Sequence, residues 1–233
     1  MQYNRDMLKE GYQITDYDRT VPGFIQLILY SLSVEHYTYG DPELERIQDF
    51  TKAIAYFYPG DKEKLRTASP LKILVICDQN QGRSQMVAAV IAELARNLGL
   101  NAEVKSAGQH ATPEKYDGKP PGAVCTGLER RQLDMSGATV NQLVPADSDE
   151  NTIVLLLNDP ATVSDFVYNA RLVVNRYMMD QFPGSKVPKD ADQILEEVID
   201  ESAFLGIQFV LELARAIEFD DFERFVQIFK RVN

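Results

Sequence analysis

The chain has 233 residues, 45% hydrophobic and 25% charged, and its 24 lysines and arginines against 35 aspartates and glutamates leave a net charge of −11. This is the composition of a soluble globular chain with one full core, and it excludes collagen, a disordered chain and a disulfide scaffold. The negative field repels phosphate backbones and anionic lipid, so neither nucleic acid nor membrane is expected as a partner. Two cysteines without metal-ligand spacing point to a reducing compartment.

Residues 1–19 carry charges and amides where a signal peptide needs an apolar core, so a cytoplasmic setting is expected. Val21 to Val34 is apolar but too short for a bilayer, and it reads as a buried helix opened by Pro22. Asp41-Pro42 signals the start of a second helix, with Leu44, Ile47, Phe50, Ile54 and Phe57 at helical spacing. Residues 1–70 are therefore read as a helical extension.

After Pro70 short β-branched runs alternate with helical segments. The runs are Lys72 to Cys77, Ala102 to Lys105, Thr152 to Leu157 and Arg171 to Arg176. This alternation predicts an α/β fold with a parallel sheet, over residues 71–217. A loop with Pro183, Gly184 and Pro188 leads to a long helical stretch from about Asp190 to Ile217. Phe222, Phe225, Val226 and Phe229 make an amphipathic final helix within residues 218–233, expected to pack on the N-terminal helices.

The chemistry concentrates where the first run ends in Cys77 and Arg83-Ser84 open a helix that Gly99 closes. A loop curling between strand and helix turns its N–H groups inward and adds the positive end of the helix dipole, which makes a cup for an oxyanion. A thiol on the floor of that cup is favoured as thiolate. Arg83 can grip two equatorial oxygens at once, as a lysine could not. Ser84 can donate to the sulfur, Asn80 tolerates a left-handed backbone and can tie the loop down, and Gly82 allows close backbone approach. Cys-x5-Arg alone is a weak signal; Cys-x5-Arg-Ser at a strand-to-helix junction is a strong one.

At Cys77, Asn80, Arg83 and Ser84 the sequence resembles the low-molecular-weight protein tyrosine phosphatase family, whose loop reads Cys-x-x-Asn-x-x-Arg-Ser. The likeness continues through residues 104–108, then 133–137 with Gln142-Leu143, and the run Thr152 to Leu157, covering roughly Leu71 to Ile217. It implies a four-stranded parallel sheet flanked by helices. It also implies hydrolysis of phosphate monoesters through a cysteinyl-phosphate on Cys77, with no metal or other cofactor and a carboxylic acid to protonate the leaving group. Asp78, Gln79, Asn80, Gln81, Gly82 and Ser84 would then line the substrate's phosphate with Arg83. The substrate would be a phosphorylated protein or a small phosphate ester. The family's Asp-Pro-Tyr-Tyr acid loop corresponds to Asp180-Gln181-Phe182-Pro183, which makes Asp180 the acid; Asp159-Pro160 carries the family dipeptide, but one strand too early.

Two departures open other readings. Gly82 stands where many family members have a second cysteine, and the run from Asn80 to Met86 resembles the arsenate reductases of the same fold, implying a reductase served by an external thiol. The Asn-Gln pair also resembles the cysteine phosphatases that act on phosphoserine in RNA polymerase tails. Asp78 places a negative charge beside the cup. Unless it turns away it opposes anion binding, which favours a non-catalytic module that only binds phosphate or a phosphorylated partner. Cys125 reads as helix packing, His36 and His110 as surface or polar-loop residues, and His110 with Tyr116 as candidates for the pocket mouth.

Overall fold

Leu71–Cys77 (β1) is an apolar, β-branched run buried through its last five residues, the composition of an interior parallel strand. In the computed structural model, which describes residues 47–176 and 191–230, β1 lies between two parallel neighbours. These are Ala102–Gly108 (β2) and Thr152–Leu156 (β3), and Leu172–Asn175 (β4) continues the sheet beyond β3. The strand order is β2-β1-β3-β4, the expected four-stranded parallel sheet.

β2 runs three residues further than its sequence suggests. Ser106, Ala107 and Gly108 have little strand preference of their own, yet they pair with Val75, Ile76 and Cys77 and are buried. Pairing with the central strand overrides their local tendency, and it carries β2 up to the level of Cys77.

The helices among the described residues are Ile47–Phe57 (α1), Arg83–Leu98 (α2), Gly122–Arg130 (α3), Ala191–Phe219 (α4) and Phe222–Lys230 (α5). Successive side chains of β1 go to opposite sides of the sheet. Ile73, Val75 and Cys77 join the larger core cluster, to which all five helices contribute. Leu74 and Ile76 join a smaller one with Leu143, Val163 and Val167, roofed by segments carrying the short 3-10 turns Pro145–Asp147, Pro160–Thr162 and Asp165–Asn169.

α1 buries Ile47, Phe50 and Ile54, as their spacing predicts, and packs on α2. α4 also lies along α2, and Gly206 sets how closely: a Cβ there would stand 3.0 Å from Val90 Cγ1 and 3.2 Å from the Val87 carbonyl. An ion cluster around the buried Arg131 ties α4 to the end of α3, with Arg131 Nη1 2.6 Å from Glu196 Oε2 and Nη2 2.9 Å from Asp200 Oδ1. After Asp220, at φ 54°, the chain reverses, and Asp221 Oδ1 accepts from Arg224 N at 3.1 Å to cap α5.

α5 packs on α4 and on the edge strand β4. Phe225 and Phe229 pack against Phe209 of α4, with ring centroids 5.3 to 5.8 Å apart. The helices expected before residue 47, on which the sequence places α5, lie outside the described residues. Among the described residues no helix is long and apolar enough to cross a membrane.

Candidate active site

Cys77 ends β1 at the carboxyl edge of the sheet, where ligand crevices of open parallel sheets form. The next five residues turn sharply, and Arg83 is the first residue of α2. Asn80 adopts φ 53°, the left-handed conformation its side chain makes accessible. That turn aims the Asn80 N–H at the sulfur, 3.2 Å from Cys77 Sγ, while Ser84 Oγ stands 2.9 Å from Sγ on the other side. The thiol is buried. It is met by two polar groups of its own loop, as the loop motif predicts.

A second layer holds Asn80. Its Nδ2 donates to Ser84 Oγ at 2.9 Å, and its Oδ1 accepts from Asn141 N at 2.7 Å and from Gln85 Nε2 at 3.0 Å. Gln85 Nε2 also reaches the Asn80 and Thr139 carbonyls at 3.1 and 2.7 Å. The whole set is buried or half-buried, so its polar groups are satisfied by one another. Neither Gln85 nor Asn141 is a site residue in the sequence reading. The available signal is chemical: a glutamine buried in the first turn of a helix needs a partner, and the loop backbone supplies it.

The end of β2 forms one wall. Gln109 N donates to the Cys77 carbonyl at 2.9 Å and His110 N to the Asp78 carbonyl at 2.7 Å, so the anion loop and the β2 loop run as one unit. This contact requires Gly108, because a Cβ there would lie 2.7 Å from Asn80 N and 2.8 Å from the Asp78 carbonyl oxygen. At Gly82, by contrast, a Cβ would meet only Met86 Cε, at 4.0 Å. The glycine that the geometry demands is the one on the neighbouring strand.

Asp78 is where the structure adds most. Its Oδ1 lies 2.7 Å from His110 Nδ1 and its Oδ2 accepts from Gln79 Nε2 at 2.8 Å. Burial works against its ionisation, but the hydrogen bonds from His110 and Gln79 and the charges of His110 and Arg83 outweigh it, and its pKa is lowered. Both carboxylate oxygens are therefore engaged beside the cup. Gln81 Nε2 is buried with no hydrogen-bond partner among the described residues. Arg83 is half-buried at the start of α2.

Asp180 lies outside the described residues. Asp159 is exposed, and its carbonyl accepts from Thr162 N at 3.0 Å and Thr162 Oγ1 at 2.8 Å, so Asp159-Pro160 opens a 3-10 turn as its dipeptide suggests. Cys125 sits half-buried in α3, its thiol 3.8 Å from the Pro120 carbonyl, and burial raises its pKa. No group of three or more His, Cys, Asp or Glu among the described residues could hold a metal ion.

A family model for the low molecular weight phosphotyrosine protein phosphatase matches residues 72–170, which span β1, the anion loop, α2 and the strands as far as β3. This α/β region is similar to that family. That family is one of cysteine-dependent phosphatases, and the matched segment includes Cys77.

Solved structures share this region's fold. One is a YwlE arginine phosphatase mutant with a phosphorylated active-site serine, 22% identical, covering 63% of this chain and 99% of its own, with a TM-score of 0.52. The YwlE arginine phosphatase from Geobacillus stearothermophilus is 22% identical over 65% of this chain and 97% of its own, with a TM-score of 0.50. A low molecular weight protein tyrosine phosphatase from Bacillus subtilis is 22% identical over 64% of this chain and 98% of its own, with a TM-score of 0.47. No curated protein matches the chain.

Proposed function

We propose that the protein hydrolyses phosphate monoesters, of the phosphotyrosine type on a protein or a small molecule, through a phosphorylated cysteine. The observation that carries this reading is the pair of contacts on Cys77 Sγ, from Asn80 N at 3.2 Å and Ser84 Oγ at 2.9 Å, at the floor of a strand-to-helix loop. Both are placed to hold the sulfur where it can attack a bound phosphorus and to stabilise it as it leaves.

In the first step the thiolate attacks phosphorus in line, a S–P bond forms and the ester P–O bond breaks. Arg83 and the loop amides of Gln79, Gln81 and Gly82 stabilise the equatorial oxygens while the Asn80 N–H stays on the sulfur, and Asp180 gives its proton to the departing oxygen. In the second, the Asp180 carboxylate takes a proton from water, the water oxygen attacks phosphorus, and the S–P bond breaks to restore the thiolate and free phosphate. Ser84 donates to sulfur in its role as leaving group.

The engagement of Asp78 by His110 and Gln79 supports an oxyanion site here, since the carboxylate is held by partners beside the cup. The test is a pair of assays on the full chain, p-nitrophenyl phosphate turnover and arsenate reduction with added thiols. Turnover of the ester that disappears in Cys77→Ser is the expected result. Arsenate reduction without ester turnover would make the protein a reductase, and activity in neither assay would make it an oxyanion binder. Phosphoarginine belongs in the same assay, because the arginine phosphatases share the fold.

A further inference from the structure

We infer that His110 is a positioning residue of the oxyanion cup, holding the Asp78 carboxylate so that it does not compete with the bound oxyanion for Arg83. The inference rests on the reading of the loop as an oxyanion site.

Asp78 directly follows the nucleophile, and the charge of Arg83 reaches it, so the two interact through space. A free carboxylate in that position weakens anion binding twice: it repels the dianion and it draws on the positive charge meant for it. His110 answers both effects. Its Nδ1 is 2.7 Å from Asp78 Oδ1, and its backbone N–H donates to the Asp78 carbonyl at the same 2.7 Å, so side chain and main chain hold the same residue. The loop carrying His110 is itself braced. Gln109 Nε2 donates to Ser164 Oγ at 2.7 Å, and the Gln109 carbonyl accepts from Gln142 Nε2 at 2.8 Å.

The pair is partly open to water, with 63% of the His110 side chain and 40% of the Asp78 side chain exposed. The neighbouring loops meet this one through Asn141, Gln142 and Ser164. Without the His110 side chain one carboxylate oxygen of Asp78 loses its partner, and oxyanion affinity should fall.

The experiment measures sulfate binding by calorimetry in Cys77→Ser at constant ionic strength and pH 7, where sulfate is a dianion and the nucleophilic thiol is absent. Adding His110→Gln should weaken sulfate about tenfold, the effect of one charge a few ångströms from the ligand at a partly solvated site. Adding Asp78→Asn instead should leave sulfate bound at least as tightly as in Cys77→Ser, and adding Asp78→Asn to the His110→Gln variant should restore that affinity. Circular dichroism confirms that each variant is folded.

His110→Gln binding sulfate as tightly as its parent, or failing to be rescued by Asp78→Asn, overturns the inference and leaves the oxyanion site standing. Absence of sulfate binding in Cys77→Ser and in the unsubstituted protein alike overturns the oxyanion reading and the inference with it.

Discussion

Ser84 Oγ stands 2.9 Å from Cys77 Sγ and accepts a hydrogen bond from Asn80 Nδ2 at 2.9 Å. Because the hydroxyl has only one proton and its oxygen is already an acceptor, that proton is free to go to the sulfur. Asn80 thus sets the direction of the Ser84 donor. Ser84→Ala should lower turnover of p-nitrophenyl phosphate roughly 10- to 100-fold, the value of a hydrogen bond to a charged group at about 1.5–3 kcal/mol. Steady-state kcat is the readout, and a loss below twofold would remove Ser84 from the chemistry.

Gly108→Ala tests the wall between β2 and the cup. The added Cβ would meet Asn80 N and Gln79 C, each at 2.7 Å, and these are main-chain atoms that cannot swing aside. The strain should cost about 1–3 kcal/mol of stability. Turnover should fall further, on the order of 100-fold, because small misplacements of a catalytic loop are expensive. Denaturant unfolding and ester hydrolysis measured together separate the two effects; unchanged hydrolysis would show that the loop tolerates the shift.

Asp180→Asn and Asp159→Asn distinguish the two carboxylates that the sequence offers as general acid. On aryl phosphates of differing leaving-group pKa, loss of the acid should penalise poor leaving groups far more than good ones. Asp180→Asn is expected to show that steep dependence and Asp159→Asn to stay close to the parent. The opposite pattern would assign the acid to the loop after β3.

Arg131 tests how α4 is fastened. Its side chain is 4% exposed and meets Glu196 and Asp200, which are 39% and 19% exposed. Removing it strands two carboxylates, one of which still reaches water, so Arg131→Ala should cost about 3 kcal/mol, the low end for breaking a buried ion cluster. Urea unfolding measures this, and unchanged stability would mean that α4 is held by apolar packing alone.

The amino-acid sequence by itself determines the sheet and the heart of the cup. Four short β-branched runs separated by helical segments are enough to place a parallel sheet, because each run must be covered on both faces. Cys77, Asn80, Arg83 and Ser84 are legible because they lie within eight consecutive positions, where local geometry decides which groups meet. The additional strand residues Ser106 to Gly108 are hidden by their poor strand preference, which pairing with β1 overrides.

Everything that depends on residues far apart in the chain is decided by the tertiary structure. Asn141 reaches Asn80 across 61 positions and His110 reaches Asp78 across 32, and no periodicity or spacing encodes either meeting. The charge of Asp78 shows the difference most plainly. In the sequence it is an acid beside an anion site, a reason to doubt catalysis; in the fold its partner comes from the next strand's loop. Parallel β1 and β2 both end at the same edge of the sheet, and that shared edge brings the imidazole to the carboxylate.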